Sequence, residues 1–321
     1  MQQQKRILFI TSTRLGDAVL TTGILNALLT QHPDALFTIA CGKPPADLFR
    51  PFPRLERLLI IEKKSYSRHW WELWRAVVGI KWHTVVDLRS STIAYMLWAK
   101  HRFVFKAHRE EIHKVQQFGE LLRLSPPPAP TLWLKEEHRI TASTLIPDEL
   151  VIALGATANW VGKQWAWERF LELMLKLTAP DGLLPHAKIA LFAAPNERES
   201  IIPLINGIPE AQRIDLIGKV DLPTLAACVE RCTLYIGNDS GLMHLAAAIS
   251  TPTLGLFGPS KTSLYAPWGA HTAFVRTPES LEELTNFAGY DHKTVGSLMN
   301  TLSVEAVAAA AATLYKGYYE Q

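Results

Sequence analysis

Short apolar runs of β type alternate along this chain with longer stretches in which apolar residues recur at helical spacing. In the first 125 residues, the runs Arg6–Thr11, Leu36–Ala40, Leu58–Ile61, Thr84–Leu88 and Phe103–Phe105 predict strands. The segments near Ala18–Leu29, Ala46–Arg50, Trp70–Val78, Ile93–Lys100 and Glu111–Leu122 predict helices. Strands wound with helices in this way predict a parallel sheet covered on both faces. The stretch Ser125-Pro126-Pro127-Pro128-Ala129-Pro130 suits neither a helix nor an inner strand, so a linker is expected between there and about Glu149. The pattern then restarts, with strands at Leu150–Leu154, Lys188–Phe192, Arg213–Leu216, Leu234–Ile236 and Thr253–Phe257. Helices are expected near Trp167–Leu177, Glu197–Ile205, Leu222–Arg231 and Gly241–Ile249, with an Ala-rich helix at about Val304–Tyr315. The expectation is an α/β chain of two doubly wound domains, 1–145 and 146–321, facing across a ligand cleft.

Two turns in this pattern carry chemistry. Between Tyr235 and Pro259 a strand ends in Gly-Asn-Asp-Ser-Gly, a helix with small residues on one face comes next, and a second strand ends in Gly-Pro-Ser. Such a unit presents backbone N–H groups to an anion beyond the carboxyl ends of the strands. At the end of the first strand, Gly16 is read as permitting a tight turn, and Asp17 stands at a helix start. Asp17 is there either as an N-cap or as a carboxylate facing the cleft. No G-x-G-x-x-G occurs after this strand, which disfavours a dinucleotide site.

Charge sharpens the picture. Residues 1–145 hold 21 Lys and Arg against 12 Asp and Glu, a balance of +9, while the remainder holds 12 against 18. A basic N-terminal half fits an anionic partner: nucleic acid, an anionic lipid surface or a phosphorylated substrate. No apolar run is long enough to span a membrane, and the N-terminus is read as lacking a signal peptide. Cys41, Cys228 and Cys232 have the spacing of neither a disulfide framework nor a metal site, so a reducing cytoplasm is expected.

Three groups of residues resemble, in order and spacing, the bacterial lipopolysaccharide heptosyltransferases of glycosyltransferase family 9. They are Leu15-Gly16-Asp17 with Thr21-Thr22, Lys163-Gln164-Trp165, and Gly237-Asn238-Asp239-Ser240-Gly241-Leu242-Met243-His244 with Leu256-Phe257-Gly258-Pro259-Ser260. The resemblance implies a GT-B architecture of two Rossmann-like domains. It also implies transfer of heptose, with inversion, from ADP-heptose to a hydroxyl of the inner core. Asp17 is then the catalytic base, Lys163 contacts the donor diphosphate, Asp239 holds the donor sugar, and the Ser240-Gly241 backbone receives phosphate. Glu197, His244 and Ser260 join the donor-binding set, and Thr13, Arg14 and Arg89 the acceptor-binding set. The partners expected are a nucleotide-sugar donor, a lipid-linked phosphorylated glycan acceptor and an anionic membrane surface rather than nucleic acid. The expected location is the cytoplasmic face of the membrane, with no cofactor and no metal.

The chemistry of the residues agrees with these roles. Inverting transfer needs one base for the acceptor proton, and a diphosphate leaving group needs charge compensation more than a proton. Lys163 and the positive end of the helix after Ser240 provide that compensation. No Asp-x-Asp occurs in the sequence, so metal-independent transfer is the simpler expectation.

Several residues keep two readings. Glu197 is a nucleoside contact or a first-turn helical acid, and His244 faces the donor or packs in the core. Trp70, Trp71 and Trp74, with Arg68, Arg75, Lys81 and Trp82, are core or a membrane-interface segment. Gly23 stands where the family usually has proline, and Ser297-Leu298-Met299 where it often has a Cys–Met pair. Thr11 occupies the region where some members carry a basic residue. Two other functions remain open: a GT-B-shaped sugar-nucleotide epimerase or hydrolase, and a nucleotide-sugar-binding module without catalysis.

Overall fold

A computed structural model describes residues 4–62, 65–106 and 111–320. The chain divides into two compact units, Met1–Trp133 and Leu134–Gln321, and each is built on one all-parallel sheet. In the first unit β1 (Arg6–Ile10), β2 (Leu36–Cys41), β3 (Leu55–Ile60), β4 (Trp82–Asp87) and β5 (Ala99–Val104) lie in the order β3-β2-β1-β4-β5. In the second, β6 (Val151–Gly155), β7 (Lys188–Leu191), β8 (Arg213–Asp215), β9 (Leu234–Asn238), β10 (Thr253–Phe257) and β11 (Thr272–Arg276) lie in the order β11-β10-β9-β6-β7-β8. The strand order reverses between β1 and β4 in one sheet and between β6 and β9 in the other. The loops there leave to opposite faces and open a crevice beyond the strand ends. The central strands read as continuous apolar runs because helices cover both faces: Ile7 to Ile10 and all of β6 are buried.

The differences from the sequence expectation have local causes. Ile93–Lys100 is not a helix. Ile93–Met96 forms a single 3-10 turn, and Ala99–Val104 pairs with β4 as an edge strand with Lys100, His101 and Arg102 exposed. A short mixed segment fits either period, and the edge of the sheet favours strand for a charged one. The expected first helix is two, Leu15–Val19 and Thr22–Gln31. The Thr21 and Thr22 hydroxyls donate to Ala18 O and Val19 O at 2.7 Å, and such back-bonding interrupts a helix. Gly16 therefore lies inside a short helix and not in a tight turn. Strand β11 and the helix Leu281–Thr285 have no counterpart in the sequence expectation.

The proline-rich stretch does not act as a loose tether. A Cβ on Gly23 would lie 2.2 Å from Pro128 O, one on Gly119 would lie 2.8 Å from Pro127, and Thr131 N donates to Thr22 Oγ1 at 2.9 Å. Gly23 is thus required by a close backbone approach. The rest of the expected linker contains the helix Glu136–Leu145, which packs on Leu222–Glu230 within the second unit. Arg139 there makes a two-pronged contact to Glu230, at 2.9 and 3.1 Å.

The aromatic segment is partitioned. In the helix Arg68–Val77, Leu73 and Val77 are buried, Trp70 and Trp74 pack against the same cluster, and buried Trp82 donates to Val77 O. Trp71 stays 57% exposed. Around the same cluster the 3-10 turn and the chain leading from it into β5 expose Tyr95 (61%), Met96 (55%) and Trp98 (71%). Lys81 sits over the Trp98 ring at 4.7 Å and Arg102 over Tyr95 at 6.0 Å. Among the described residues no helix is long and apolar enough to cross a membrane.

Two consequences can be measured. Gly23→Ala should cost about 1–3 kcal/mol in chemical denaturation, because the strap and helix must separate; unchanged stability would show that the approach is slack. The ring of His83 lies edge-on to that of His32 and tilted against that of His101, with centroids 4.9 and 5.2 Å apart. Burial, then Lys5 and His101 for His32, and burial, then His32, Lys5, His101 and Lys100 for His83, hold both below the ordinary histidine value. The unfolded chain binds these protons more readily, so stability is full above about pH 6.5 and falls as pH drops below it. His83→Gln should flatten the melting temperature between pH 7.5 and pH 5.5 relative to wild type, and an identical slope would contradict the coupling.

Candidate functional site

In the first unit, β1 pairs one residue past its end, Thr11 N donating to Ala40 O, and the chain then turns through Ser12 to Arg14. Asp17 is the third residue of the helix Leu15–Val19, whose N-cap is Arg14, so the capping role is not what holds it there. Ser12 Oγ donates toward Asp17 Oδ2 over 3.5 Å, a weak restraint. The carboxylate borders a cavity of about 260 Å3 together with Ser12, Arg89, Ser90, Phe105 and Lys114.

The loop after β4 supplies Arg89. Buried Asp87 fixes that loop by accepting from Arg89 N at 2.8 Å and from Ser91 N and Oγ at 3.0 and 2.5 Å. Burial pushes the Asp87 carboxyl up, and these hydrogen bonds partly offset it. Arg89 Nη1 reaches Thr13 Oγ1 at 3.4 Å, so two of the three expected acceptor residues meet. Arg14 is exposed and contributes its backbone N–H to Ser12 Oγ. Lys114, from the helix Lys114–Leu121, belongs to no motif, and nothing in the sequence marks it.

In the second unit the crevice between β6 and β9 is shaped by a glycine pair. Gly155 and Gly237 are partners in register, and a Cβ on them would lie 2.0 and 2.5 Å from the Tyr235 hydroxyl. Only glycine lets that fully buried ring lie across the switch point, where burial drives its phenol pKa well up. One residue past β9, Asp239 accepts an ion pair from Lys163 Nζ at 2.6 Å, with side chains 6% and 25% exposed. Asn238 fixes the opposing loop, Nδ2 donating to Ala156 O at 2.8 Å and Oδ1 accepting from Trp165 N at 3.1 Å. Buried Trp165 in turn donates to Leu302 O at 2.9 Å, so the 3-10 turn Val161–Lys163 is anchored from both sides.

Ser240 is the N-cap of the helix Gly241–Ala248 but makes no side-chain cap bond. The first N–H groups of that helix therefore lack a side-chain cap from Ser240, and with the helix dipole they suit a phosphate. His244 is buried on the same helix, and the Ser260 hydroxyl, past β10, is buried without a hydrogen-bond partner among the described residues. Glu197 Oε2 accepts from Thr157 Oγ1 at 2.8 Å and from Ala194 N at 2.9 Å, tying the first turn after β7 to the loop after β6. Arg198 grips Asp215 beside it at 3.0 and 2.5 Å, tying this turn to the end of β8 and holding the Asp215 carboxyl below its usual range. The unit thus brings Lys163 and Asp239 into direct contact and sets Ser240 and Gly241 directly after them. All three cysteines are free and buried, and no metal-binding group of three or more His, Cys, Asp or Glu occurs among the described residues.

Residues 77–288 match the family model described as glycosyltransferase family 9 (heptosyltransferase). A lipooligosaccharide heptosyltransferase 2 from Campylobacter jejuni is 25% identical over 267 residues, covering 80% of this chain and 82% of that protein. Two solved structures share the fold. A glycosyl transferase family 9 protein from Veillonella parvula has a TM-score of 0.78 and 23% identity, covering 99% of both chains. The Escherichia coli ADP-heptose lipopolysaccharide heptosyltransferase II has a TM-score of 0.76 and 17% identity, covering 97% of this chain and 99% of that one. The two parallel units are accordingly the Rossmann-like pair of a GT-B fold.

The ion pair has a measurable signature. Lys163→Met leaves a nearly buried carboxylate unpaired and should lower stability by about 1–3 kcal/mol. Combining it with Asp239→Asn should recover part of that loss in a double-mutant cycle. Strict additivity would mean that the two side chains do not act together.

Proposed function

The chain belongs to glycosyltransferase family 9 (heptosyltransferase), and from that premise we propose that it transfers heptose, with inversion and without a metal, from ADP-heptose to a hydroxyl of a lipopolysaccharide core acceptor. The observation that carries the reading is the junction at the end of β9. There the Lys163–Asp239 pair at 2.6 Å lies beside the N-terminus of Gly241–Ala248, a cation and a helix dipole next to one carboxylate. That set suits a sugar nucleotide: Lys163 and the helix N–H groups take the diphosphate, and Asp239 takes sugar hydroxyls. Glu197, His244 and Ser260 complete the donor set.

In the reaction proposed, the acceptor oxygen bonds to the anomeric carbon as the bond from that carbon to the diphosphate oxygen breaks. ADP leaves, and the hydroxyl proton passes to Asp17. Asp17 accepts the proton as the attack acidifies the hydroxyl. Thr13, Arg14 and Arg89 belong to the acceptor. Residues 1–133 hold 19 Lys and Arg against 10 Asp and Glu, which suits a phosphorylated acceptor. The exposed rings of Trp71, Tyr95 and Trp98, with Lys81 and Arg102 against two of them, suit peripheral attachment to the anionic cytoplasmic face of a membrane.

Asp17→Asn should lower kcat by about 10²–10⁴-fold with the ADP-heptose KM near wild type. Wild-type turnover in that variant would remove Asp17 from the mechanism. Trp98→Ala with Trp71→Ala should weaken co-sedimentation with phosphatidylglycerol vesicles at low salt. If the wild-type protein does not sediment with these vesicles, membrane attachment is wrong.

A further inference from the structure

We infer that Lys114, acting with Arg89, is the anion-binding element of the acceptor site beside Asp17: it holds a carboxylate or phosphate on the acceptor sugar while the neighbouring hydroxyl meets the Asp17 carboxylate. The inference rests on the proposed glycosyl transfer and adds to it a residue that no motif marks.

Three charged side chains, Asp17, Arg89 and Lys114, border one cavity of about 260 Å3 whose other walls include Phe105, Phe118 and Leu20. Among the described residues neither cation bonds a carboxylate there. Lys114 Nζ donates to Gln117 Oε1 at 3.1 Å and lies 5.4 Å from the Phe105 ring, and Arg89 Nη1 reaches the Thr13 hydroxyl. The cavity therefore carries one positive charge more than its own carboxylate balances. A cation-rich pocket next to the reacting carboxylate favours an anionic ligand.

The position of Lys114 is itself unfavourable without a ligand. It is the first residue of the helix Lys114–Leu121, where the dipole repels a cation, and burial holds its pKa below the usual lysine value with only the Asp17 charge opposing. Yet the chain fixes it firmly. His113 Nδ1 accepts from Val115 N, Gln116 Oε1 accepts from His113 N, and buried Gln117 donates to Ile112 O at 2.7 Å while its Oε1 holds the lysine. A local rule broken this deliberately is expected at a functional position. The cavity is smaller than the about 300–1,000 Å3 of whole-ligand pockets, so it suits one charged substituent with its adjacent hydroxyl and leaves the bulk of the glycan outside.

The test uses the full chain with deacylated lipopolysaccharide core oligosaccharide, before and after phosphatase treatment. Lys114→Gln should raise the acceptor KM by about 10–100-fold, the loss of one hydrogen bond to a charged group, with kcat and the ADP-heptose KM within about twofold. Lys114→Arg should restore most of the affinity. If phosphate is the anion, phosphatase treatment weakens wild-type binding and abolishes the difference between wild type and Lys114→Gln; if a sugar carboxylate is the anion, the difference survives treatment. Calorimetric binding of the same oligosaccharide without donor separates this inference from the transfer reaction. An affinity equal in wild type and Lys114→Gln, or no binding to wild type, overturns it, as does a kcat loss that Lys114→Arg fails to rescue.

Discussion

A parallel strand reaches its neighbour only by a crossover, so every carboxyl end in such a sheet gathers at one edge. That constraint assembles both groups of candidate site residues. In the first unit, the turn after β1 brings Asp17, the loop after β4 brings Arg89, and the helix after β5 brings Lys114 to the same cavity. In the second, Lys163 comes after β6, Glu197 after β7, Asp239 and Ser240 after β9, and Ser260 after β10. Residues far apart in sequence become neighbours because each sits just beyond a strand end. The strand-order reversals at β1/β4 and β6/β9 open the space they face.

Within that frame, close approach and polar anchoring supply precision. Gly155 and Gly237 leave room for the Tyr235 ring, and Asn238 spans Ala156 and Trp165, so the Lys163 loop is held by the same strand end that carries its partner. A buried ion pair gains little over apolar packing in stability, since desolvation offsets its attraction. What Lys163–Asp239 sets is a cation at a fixed distance from a carboxylate, the preorganised arrangement that the proposed binding of a diphosphate calls for. In the first unit the corresponding balance is missing. Lys114 sits at the wrong end of a helix dipole, partly buried, with no carboxylate in contact among the described residues.

The winding and most strands are legible in the sequence because continuous apolar runs bounded by turns leave few alternatives, and the motif residues lie where those runs end. The GT-B pairing, expected from the resemblance, agrees with both the topology and the related structures. The Ile93–Lys100 segment misleads because eight mixed residues satisfy either period until a neighbouring strand decides. The split after Val19 depends on threonine back-bonds, and the strapped prolines depend on Gly23 and Gly119, which are contacts that spacing cannot express. Tyr95 and Trp98 are hidden by the helical reading of their segment, whereas Trp82, open between core and interface in the sequence, is core. Lys114 is illegible for a different reason: its importance lies in what faces it across a cavity.

The proposal depends above all on the end of β9 serving an adenosine-diphosphate sugar. Thermal shift of the wild-type protein with ADP, UDP, GDP and ADP-heptose probes that site without any acceptor, because a ligand that binds the folded state raises its melting temperature by mass action. ADP and ADP-heptose should stabilise the protein more than UDP or GDP at equal concentration. Preferential stabilisation by UDP, or no response to any of the four, would contradict it.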